Sequence, residues 1–237
     1  MEGIVIVIPA LNPLQSFTSF VEQLKKIDIK KIVIVNDGSE EKYAPIFNEL
    51  REQQQCIVLD HKQNKGKGRA LKTGFDYILK HQKDVDGVLT VGAHGQHTIE
   101  DITLMSETVK VFSDGIVLGI RRFRSKEVSM LSFLGNRATT LLFGLLFRRR
   151  LLDIQTGLRY MPRSELVWLR KVSGEQFDFD TNMLVEAIQR DVPIYEIPVG
   201  YAKLSKSSMM NYDEIMSTKK MLQQIWNTFL KSKSGLK

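Results

Sequence analysis

Short continuous apolar runs alternate along the chain with stretches whose apolar residues recur every three or four positions. Ile4 to Ile8 is an unbroken, largely β-branched run ended by Pro9, which predicts a central parallel strand buried on both faces. Phe17, Phe20, Val21 and Leu24 mark one face of a helix. Ile32 to Val35 predicts a second buried strand and Cys56 to Leu59 a third, followed by a helix with Leu71, Phe75, Ile78 and Leu79 as its core stripe. Val88 to Val91 stops at Gly92 and leads through a loop into a helix carrying Ile102, Met105, Val109 and Phe112. With Ile116 to Leu118 added, the alternation predicts a doubly wound α/β sheet with right-handed crossovers. Ligands bind such sheets beyond the carboxyl ends of the strands. Chemistry is therefore expected in the loops Ala10 to Pro13, Asn36 to Ser39 and Gly92 to His97.

After Gly119 the rhythm changes. Met130 to Leu152 predicts a helix with Leu134, Ala138, Leu141, Leu142 and Leu145 on one side and Arg148, Arg149 and Arg150 near its end. Such a surface suits a membrane interface beside anionic headgroups, and equally a core or dimer helix whose last turn favours cations. Asp153 to Tyr160 reads as a turn on which polar groups converge. Asp178 and Asp180 open a helix containing Met183, Leu184, Ala187 and Ile188, where carboxylates are ordinary capping chemistry. Ile194 to Val199, with Pro193 and Pro198 at its ends, predicts an edge strand. A last helix carries Ile215, Thr218, Leu222, Ile225 and Phe229 with lysines opposite; that face suits the body of the protein, a partner or a bilayer.

Composition narrows the partners. An apolar share of 43% over 237 residues is that of a globular chain able to bury a sizeable core. The single cysteine, Cys56, reads as a small buried hydrophobe, and one cysteine rules out a disulfide framework or a cysteine zinc site within the chain. The longest apolar run in the second half, Leu141 to Phe147, falls far short of the roughly 20 residues a spanning helix needs, and the amino terminus lacks the pattern of a secretory signal. The expected location is cytoplasmic, peripheral on the inner face of the cell membrane, in contact with the bilayer or a membrane protein. Net charge is +7, and Arg121, Arg122, Arg124, Arg148, Arg149 and Arg150 concentrate it; such clusters attract phosphates. No nucleic-acid module or aromatic-basic interleaving accompanies the charge, so nucleic acid is not an expected partner.

Three loops hold candidate chemistry. Gly92 to His97 contains His94 and His97, each able to take or give a proton or hold a metal, although a polar surface turn has the same composition. Asp37 stands at a strand tip, suited to a tight turn or a ligand contact. In Asn64 to Ala70, Gly66 and Gly68 would let backbone approach a ligand, while Lys65, Lys67 and Arg69 surround a helix N-terminus that favours anions.

Val7-Ile8-Pro9-Ala10-Leu11-Asn12, Val35 to Ser39, Asn64 to Leu71, Gly95-Gln96-His97 with Glu100-Asp101-Ile102, Gly135-Asn136-Arg137 and Asp153 to Arg159 occur in an order and spacing that resembles family 2 glycosyltransferases of GT-A fold. The nearest branch comprises dolichol-phosphate mannosyltransferases and bacterial polyprenyl-phosphate glycosyltransferases, and the resemblance runs from Ile4 to about Met221. It implies a Rossmann-like α/β fold, a mostly parallel sheet flanked by helices, with C-terminal amphipathic helices. One domain would span 1–210, with a nucleotide-binding half (1–118) and an acceptor half (119–210), followed by an amphipathic helix and tail (211–237). The implied activity is transfer of a sugar from a nucleotide-diphosphate sugar, UDP- or GDP-linked, to an acceptor, foremost a polyprenyl phosphate. Pro9, Ala10, Asn12, Asp37 and Ala93 would line the nucleotide-sugar pocket with Lys67 and Arg69 beside it. Arg121, Asp153 and Arg159 would serve the acceptor phosphate and catalysis, and Ser205 to Ser208 matches a further phosphate-side motif.

The chain departs from this pattern at the metal motif. Asp-Ala-Asp before Gly-Gln-His appears here as Gly92-Ala93-His94, so the carboxylates that would hold Mg²⁺ or Mn²⁺ against the donor diphosphate are missing. Magnesium wants hard oxygen ligands; His94 and Gln96 would suit Mn²⁺ or a softer ion, or Lys67, Arg69 and Arg121 would supply charge without metal. Pro13 also replaces the usual Glu after Asn12. These departures open an alternative, a non-catalytic homologue that binds a nucleotide sugar or a partner transferase. Retention of Asp37, Gln96, His97, Asp153 and Arg159 argues for a working site.

Overall fold

A computed structural model describes residues 3–93, 95, 97–121, 130–200 and 214–234. In chain order these form β1 (Ile4–Ala10), α1 (Ser16–Leu24), β2 (Lys31–Asn36), α2 (Ala44–Arg51), β3 (Cys56–Asp60), α3 (Lys67–His81), β4 (Gly87–Thr90), α4 (Ile99–Thr108), β5 (Ile116–Arg121), α5 (Met130–Phe147), β6 (Arg159–Pro162), α6 (Leu166–Leu169), α7 (Asp178–Gln189), β7 (Ile194–Val199) and α8 (Glu214–Ser234). The strands make one seven-stranded sheet in the order β3-β2-β1-β4-β6-β5-β7.

Each face of the sheet has its own core, which explains the continuous apolar runs. Val5 and Val7 of β1 and Val33 and Val35 of β2 join Leu71, Phe75 and Ile78 of α3 and Phe179 and Met183 of α7. Ile4, Ile6 and Ile8, alternating with them, join Ile32 and Ile34, Phe17 and Val21 of α1, Phe47 of α2 and Met105 of α4. Every side chain from Ile4 to Ile8 therefore has a dry face to occupy, and burying each contributes on the order of 1.5–3 kcal/mol. Strand β1 continues past its expected end to Ala10, and Pro9 lies beyond the last β1–β4 pair, Val7 with Thr90.

Only β6 runs against its neighbours, antiparallel to both β4 and β5. The reading of Asp153 to Tyr160 as a turn is therefore corrected: the turn ends at Leu158 and a strand begins at Arg159. Because β6 is reversed, Arg159 at its start lies opposite Thr90 at the end of β4. The loop that precedes β6 thus arrives at the same edge as the loops that follow the parallel strands.

Helix α5 differs from expectation in length and in facing. It stops at Phe147 rather than Leu152, with Arg148 in the left-handed region at φ 54°, so the three arginines lie outside it. Of the leucines expected to share one side, Leu134, Leu141 and Leu145 point to solvent and only Leu142 packs against the core, while Gly135, Asn136, Thr139, Thr140 and Phe143 are buried. The inward hydroxyls are satisfied inside the helix, Thr139 Oγ1 on the Gly135 and Asn136 carbonyls and Thr140 Oγ1 on that of Asn136. Asn136 Nδ2 also donates to the Leu152 carbonyl, and Gln155 Nε2 to Thr139 Oγ1. This polar face is turned inward because it holds the 152–155 loop. Helix α8 packs on the body, with Ile225 fully buried and Phe229 edge-on to Phe147 of α5.

Candidate functional site

The loops at the carboxyl edge interlock. After β1, Asn12 sits in the left-handed region at φ 49°, where Asn is tolerated. Its amide donates to Ser39 Oγ, its Oδ1 accepts from the Glu40 amide, and its Nδ2 donates to Glu40. The loops after β1 and β2 are thereby one wall, with Ala10 buried and Pro9 half-buried behind it.

Asp37 is 3% exposed. Its Oδ1 meets His61 Nδ1 at 2.6 Å and accepts the Lys65 amide, and its Oδ2 accepts the Gly66 amide at 2.8 Å. His61 Nε2 in turn reaches Thr73 Oγ1 of α3 at 2.9 Å. Where the sequence suggests a carboxylate open to a nucleoside, the structure has one that fastens the 61–66 loop to β2.

The glycines of that loop also have a different purpose from the one expected. A Cβ at Gly66 would lie 2.4 Å from the Glu175 carbonyl oxygen, and one at Gly68 2.6 Å from Phe179 Cβ. They admit the chain's own 174–179 segment, not a ligand. The same segment caps the helix, the Arg69 amide donating to the Glu175 carbonyl at 3.0 Å. Arg69 is held by the Glu175 carboxylate through Nε at 2.5 Å and Nη2 at 2.8 Å, and buried Lys72 joins that carboxylate and the Gly174 carbonyl. Burial pushes the Glu175 carboxyl up, but Lys72 and Arg69 outweigh it and hold it below its ordinary value. The expectation that Arg69 faces the donor is corrected accordingly: its guanidinium belongs to this clasp.

Lys67 is held by the Asp180 carboxylate of α7, with its ammonium 5.8 Å from the Phe177 ring centre. Arg159 is 1% exposed, and its guanidinium is enclosed by three carbonyls: Nε donates to Thr156, Nη1 to Asp180 and Nη2 to Ile154. It braces the loop before β6 and does not reach the crevice, which corrects its expected contact with acceptor phosphate. Asp153, fully buried, receives Arg121 through Nε at 2.6 Å and Nη2 at 2.8 Å, as well as the Arg121 and Gln155 amides. Asp153 is therefore a positioning residue for Arg121, which stays partly exposed at the end of β5.

Four further residues stand at the site without an expected place at the donor, the acceptor or the metal. His97 is 5% exposed, and both its ring nitrogens are buried without a hydrogen-bond partner among the described residues. Burial lowers its pKa to about 4, helped by Arg121 and Lys67 and opposed by Asp101 and Asp153. Asp101 fastens the end of β7, its Oδ1 accepting the Gly200 amide at 2.7 Å. Asp180 links Lys67 to the Arg159 brace, and Gly157 lies beside both Lys67 and His97. The motif around His97 marks the loop in the sequence, but Asp180 reads there only as a capping residue, and nothing in its spacing signals a partner in α3.

Ala93 is buried at the loop after β4; His94, Gln96 and the segment Ser205 to Ser208 lie outside the described residues. Among the described residues no three His, Cys, Asp or Glu side chains gather as a metal site. Asp153 is taken by Arg121 and Asp180 by Lys67, Gly92 and Ala93 offer no side-chain donor, and Asp101 Oδ2 is the one carboxylate oxygen these described residues leave unengaged. The described donor set does not fit a hard divalent cation, which takes oxygen ligands and favours carboxylates.

Residues 5–159 match the family model described as "Glycosyl transferase family 2". The chain is 27% identical over 213 residues to a UDP-N-acetylglucosamine–dolichyl-phosphate N-acetylglucosaminyltransferase of Methanococcus voltae, covering 83% of this chain and 84% of that one. A dolichyl-phosphate beta-glucosyltransferase of Trichomonas vaginalis is 26% identical over 190 residues, covering 76% of this chain and 55% of that protein. Among solved structures, glucosyl-3-phosphoglycerate synthase from Mycobacterium tuberculosis, in complex with Mn²⁺, UDP and glucosyl-3-phosphoglycerate, superposes with a TM-score of 0.66 at 16% identity, over 97% of this chain and 79% of that one.

Proposed function

This chain belongs to glycosyl transferase family 2, and from that membership we infer that it transfers a sugar from a nucleotide-diphosphate donor to a lipid phosphate of the polyprenyl class at a membrane surface. The observation that carries the reading is the convergence of Lys67, His97 and Arg121 at the one sheet edge where the loops after β1, β2, β3, β4 and β5 meet the loop before β6. Each of these groups is partly or wholly withdrawn from water, where charge and hydrogen bonds act strongly on phosphate. The lipid-phosphate acceptors named for the Methanococcus and Trichomonas relatives support the acceptor class.

In the reaction an oxygen of the acceptor phosphate attacks the anomeric carbon, whose bond to the donor diphosphate breaks with its electron pair leaving on the nucleoside diphosphate. A phosphate monoester is already a competent nucleophile, so orientation matters more than a strong base. Arg121, fixed by its two-point bond to Asp153, orients the acceptor phosphate. Pro9, Ala10, Asn12 and Ala93 form the wall of the nucleoside pocket, and Asp37 keeps that wall in register with the loop carrying Lys67. The outward leucines of α5 and the arginines after it supply the membrane contact.

Purified protein incubated with UDP- and GDP-sugars and polyprenyl phosphate in vesicles should yield glycosyl phosphate lipid. Arg121→Ala should raise KM for the lipid phosphate more than for the donor; equal effects would remove Arg121 from the acceptor side. The lack of carboxylate at Gly92 favours one other reading, a non-catalytic homologue that binds a nucleotide sugar or a partner transferase. Tight donor binding without turnover over every sugar and lipid offered would select it.

A further inference from the structure

A glycine is required where φ is positive or where another group presses on the Cα, and Gly157 meets neither condition. Its φ lies outside the left-handed region, and an added Cβ would meet nothing nearer than Lys67 Nζ at 3.8 Å and His97 Nε2 at 3.9 Å. The carbonyl of Gly157 is fixed by Thr90 Oγ1 at 2.9 Å, so its backbone is held in place. What the missing side chain leaves is a gap with room for one atom in contact with both an ammonium and an imidazole.

The two nitrogens on that gap are suited to an anion. Lys67 is held by Asp180 and, having three donor hydrogens, keeps capacity for more. His97 is enclosed with neither ring nitrogen hydrogen-bonded to any described residue, and a buried polar atom without a partner calls for a ligand or an ordered water. We propose that Gly157 is the floor of a seat for one phosphoryl oxygen, flanked by Lys67 Nζ and His97 Nε2. The seat deepens the sugar-transfer reading and rests on it for the source of the oxygen, either the donor diphosphate or the acceptor phosphate. In either case the imidazole donates one N–H to the oxygen while Lys67 supplies charge.

Gly157→Ala is the direct test, since its methyl group fills the gap at ordinary contact distance. Full-length protein is titrated with UDP, with a short-chain polyprenyl phosphate, with inorganic pyrophosphate and with uridine, reading affinity by calorimetry and the His97 imidazole by its nitrogen resonances. The expected result is a loss of about tenfold to a hundredfold for UDP or for the lipid phosphate, unchanged uridine binding, and a His97 Nε2 shift that only the phosphate probes induce. A loss confined to UDP assigns the oxygen to the donor; one confined to the lipid phosphate assigns it to the acceptor. His97→Asn should reproduce the loss if Gly157→Ala folds poorly. Wild-type binding that neither substitution weakens means that the gap holds water only, which overturns the seat and leaves the transfer reading standing. A wild-type protein that binds none of the phosphate probes overturns both.

Discussion

Burial fixes the protonation state of His97 before any ligand arrives. Its folded pKa of about 4 lies below the roughly 6.5 of an unfolded histidine. Between those values the unfolded chain binds the extra proton, so stability is complete above pH 6.5 and falls as the pH drops toward 4. The whole window is worth about 3 kcal/mol and the step from pH 7 to pH 5 about 2. Urea denaturation should therefore show the wild type losing about 2 kcal/mol more than His97→Gln over that step; parallel losses would mean that His97 is not buried neutral. Arg159 makes the opposite point, a cation whose chemistry is consumed in holding the chain. Its three carbonyl partners lie in the directions of a planar fork, which an ammonium cannot reproduce. Arg159→Lys should cost roughly 3 kcal/mol in the same assay. Full stability with lost turnover would return Arg159 to the substrate.

Among the elements, those whose residues have only one environment to satisfy were legible in the sequence. β1, β2, β4 and β5 announce themselves as apolar runs because both faces of the sheet are covered there, the edge strands β3 and β7 by a shorter apolar run and by flanking prolines, and α1, α3 and α7 by a single core stripe. β6 was not legible: Arg-Tyr-Met-Pro is four residues with a charge at one end and a proline at the other, and its identity depends on β4 and β5 closing around it. The motif loops of the site could be located, but not which of their side chains the fold keeps for itself; Arg69 and Asp37 are engaged by residues distant in the chain, and Arg159 by carbonyls of its own loop and of Asp180. The facing of α5 was beyond a hydrophobicity argument because its inner face is chosen by hydrogen bonds to the 152–155 loop and by a close crossing with α8. At that crossing a Cβ on Gly135 would lie 2.4 Å from Thr218 Oγ1 but 3.5 Å from the next nearest atoms. Gly135→Ala should thus cost roughly 1–3 kcal/mol by overpacking. Adding Thr218→Ala should recover part of that loss, a non-additivity measurable by thermal denaturation of the two single variants and the double. Strict additivity would show that the helices do not meet at Gly135.

At the scale of the whole molecule, the inverted α5 leaves a surface that folding alone does not explain. Leu141 is 68% and Leu145 71% exposed, Leu134 54%, and Leu152 47%, and exposed Arg148, Arg149 and Arg150 follow the helix directly. Among the described residues no helix is long and apolar enough to cross a membrane, so a bilayer contact would lie in the interface. There each leucine carries a hydrophobic contribution of about 1–2 kcal/mol, and each arginine near an anionic surface about 1 kcal/mol. The two parts separate experimentally, because salt screens the charges over a Debye length of about 8 Å at physiological ionic strength and leaves the apolar part intact. Vesicles containing anionic lipid should bind the protein with an affinity that falls, without vanishing, as salt rises. Leu141→Glu with Leu145→Glu should abolish sedimentation with those vesicles while leaving thermal stability unchanged, since both side chains already face water. Asp153 and its hold on Arg121 begin three residues after Arg150, so docking this surface would bring the acceptor side of the crevice to the lipid headgroups. If the double variant sediments like the wild type, α5 is not the bilayer face and lipid phosphate must reach Arg121 from another side.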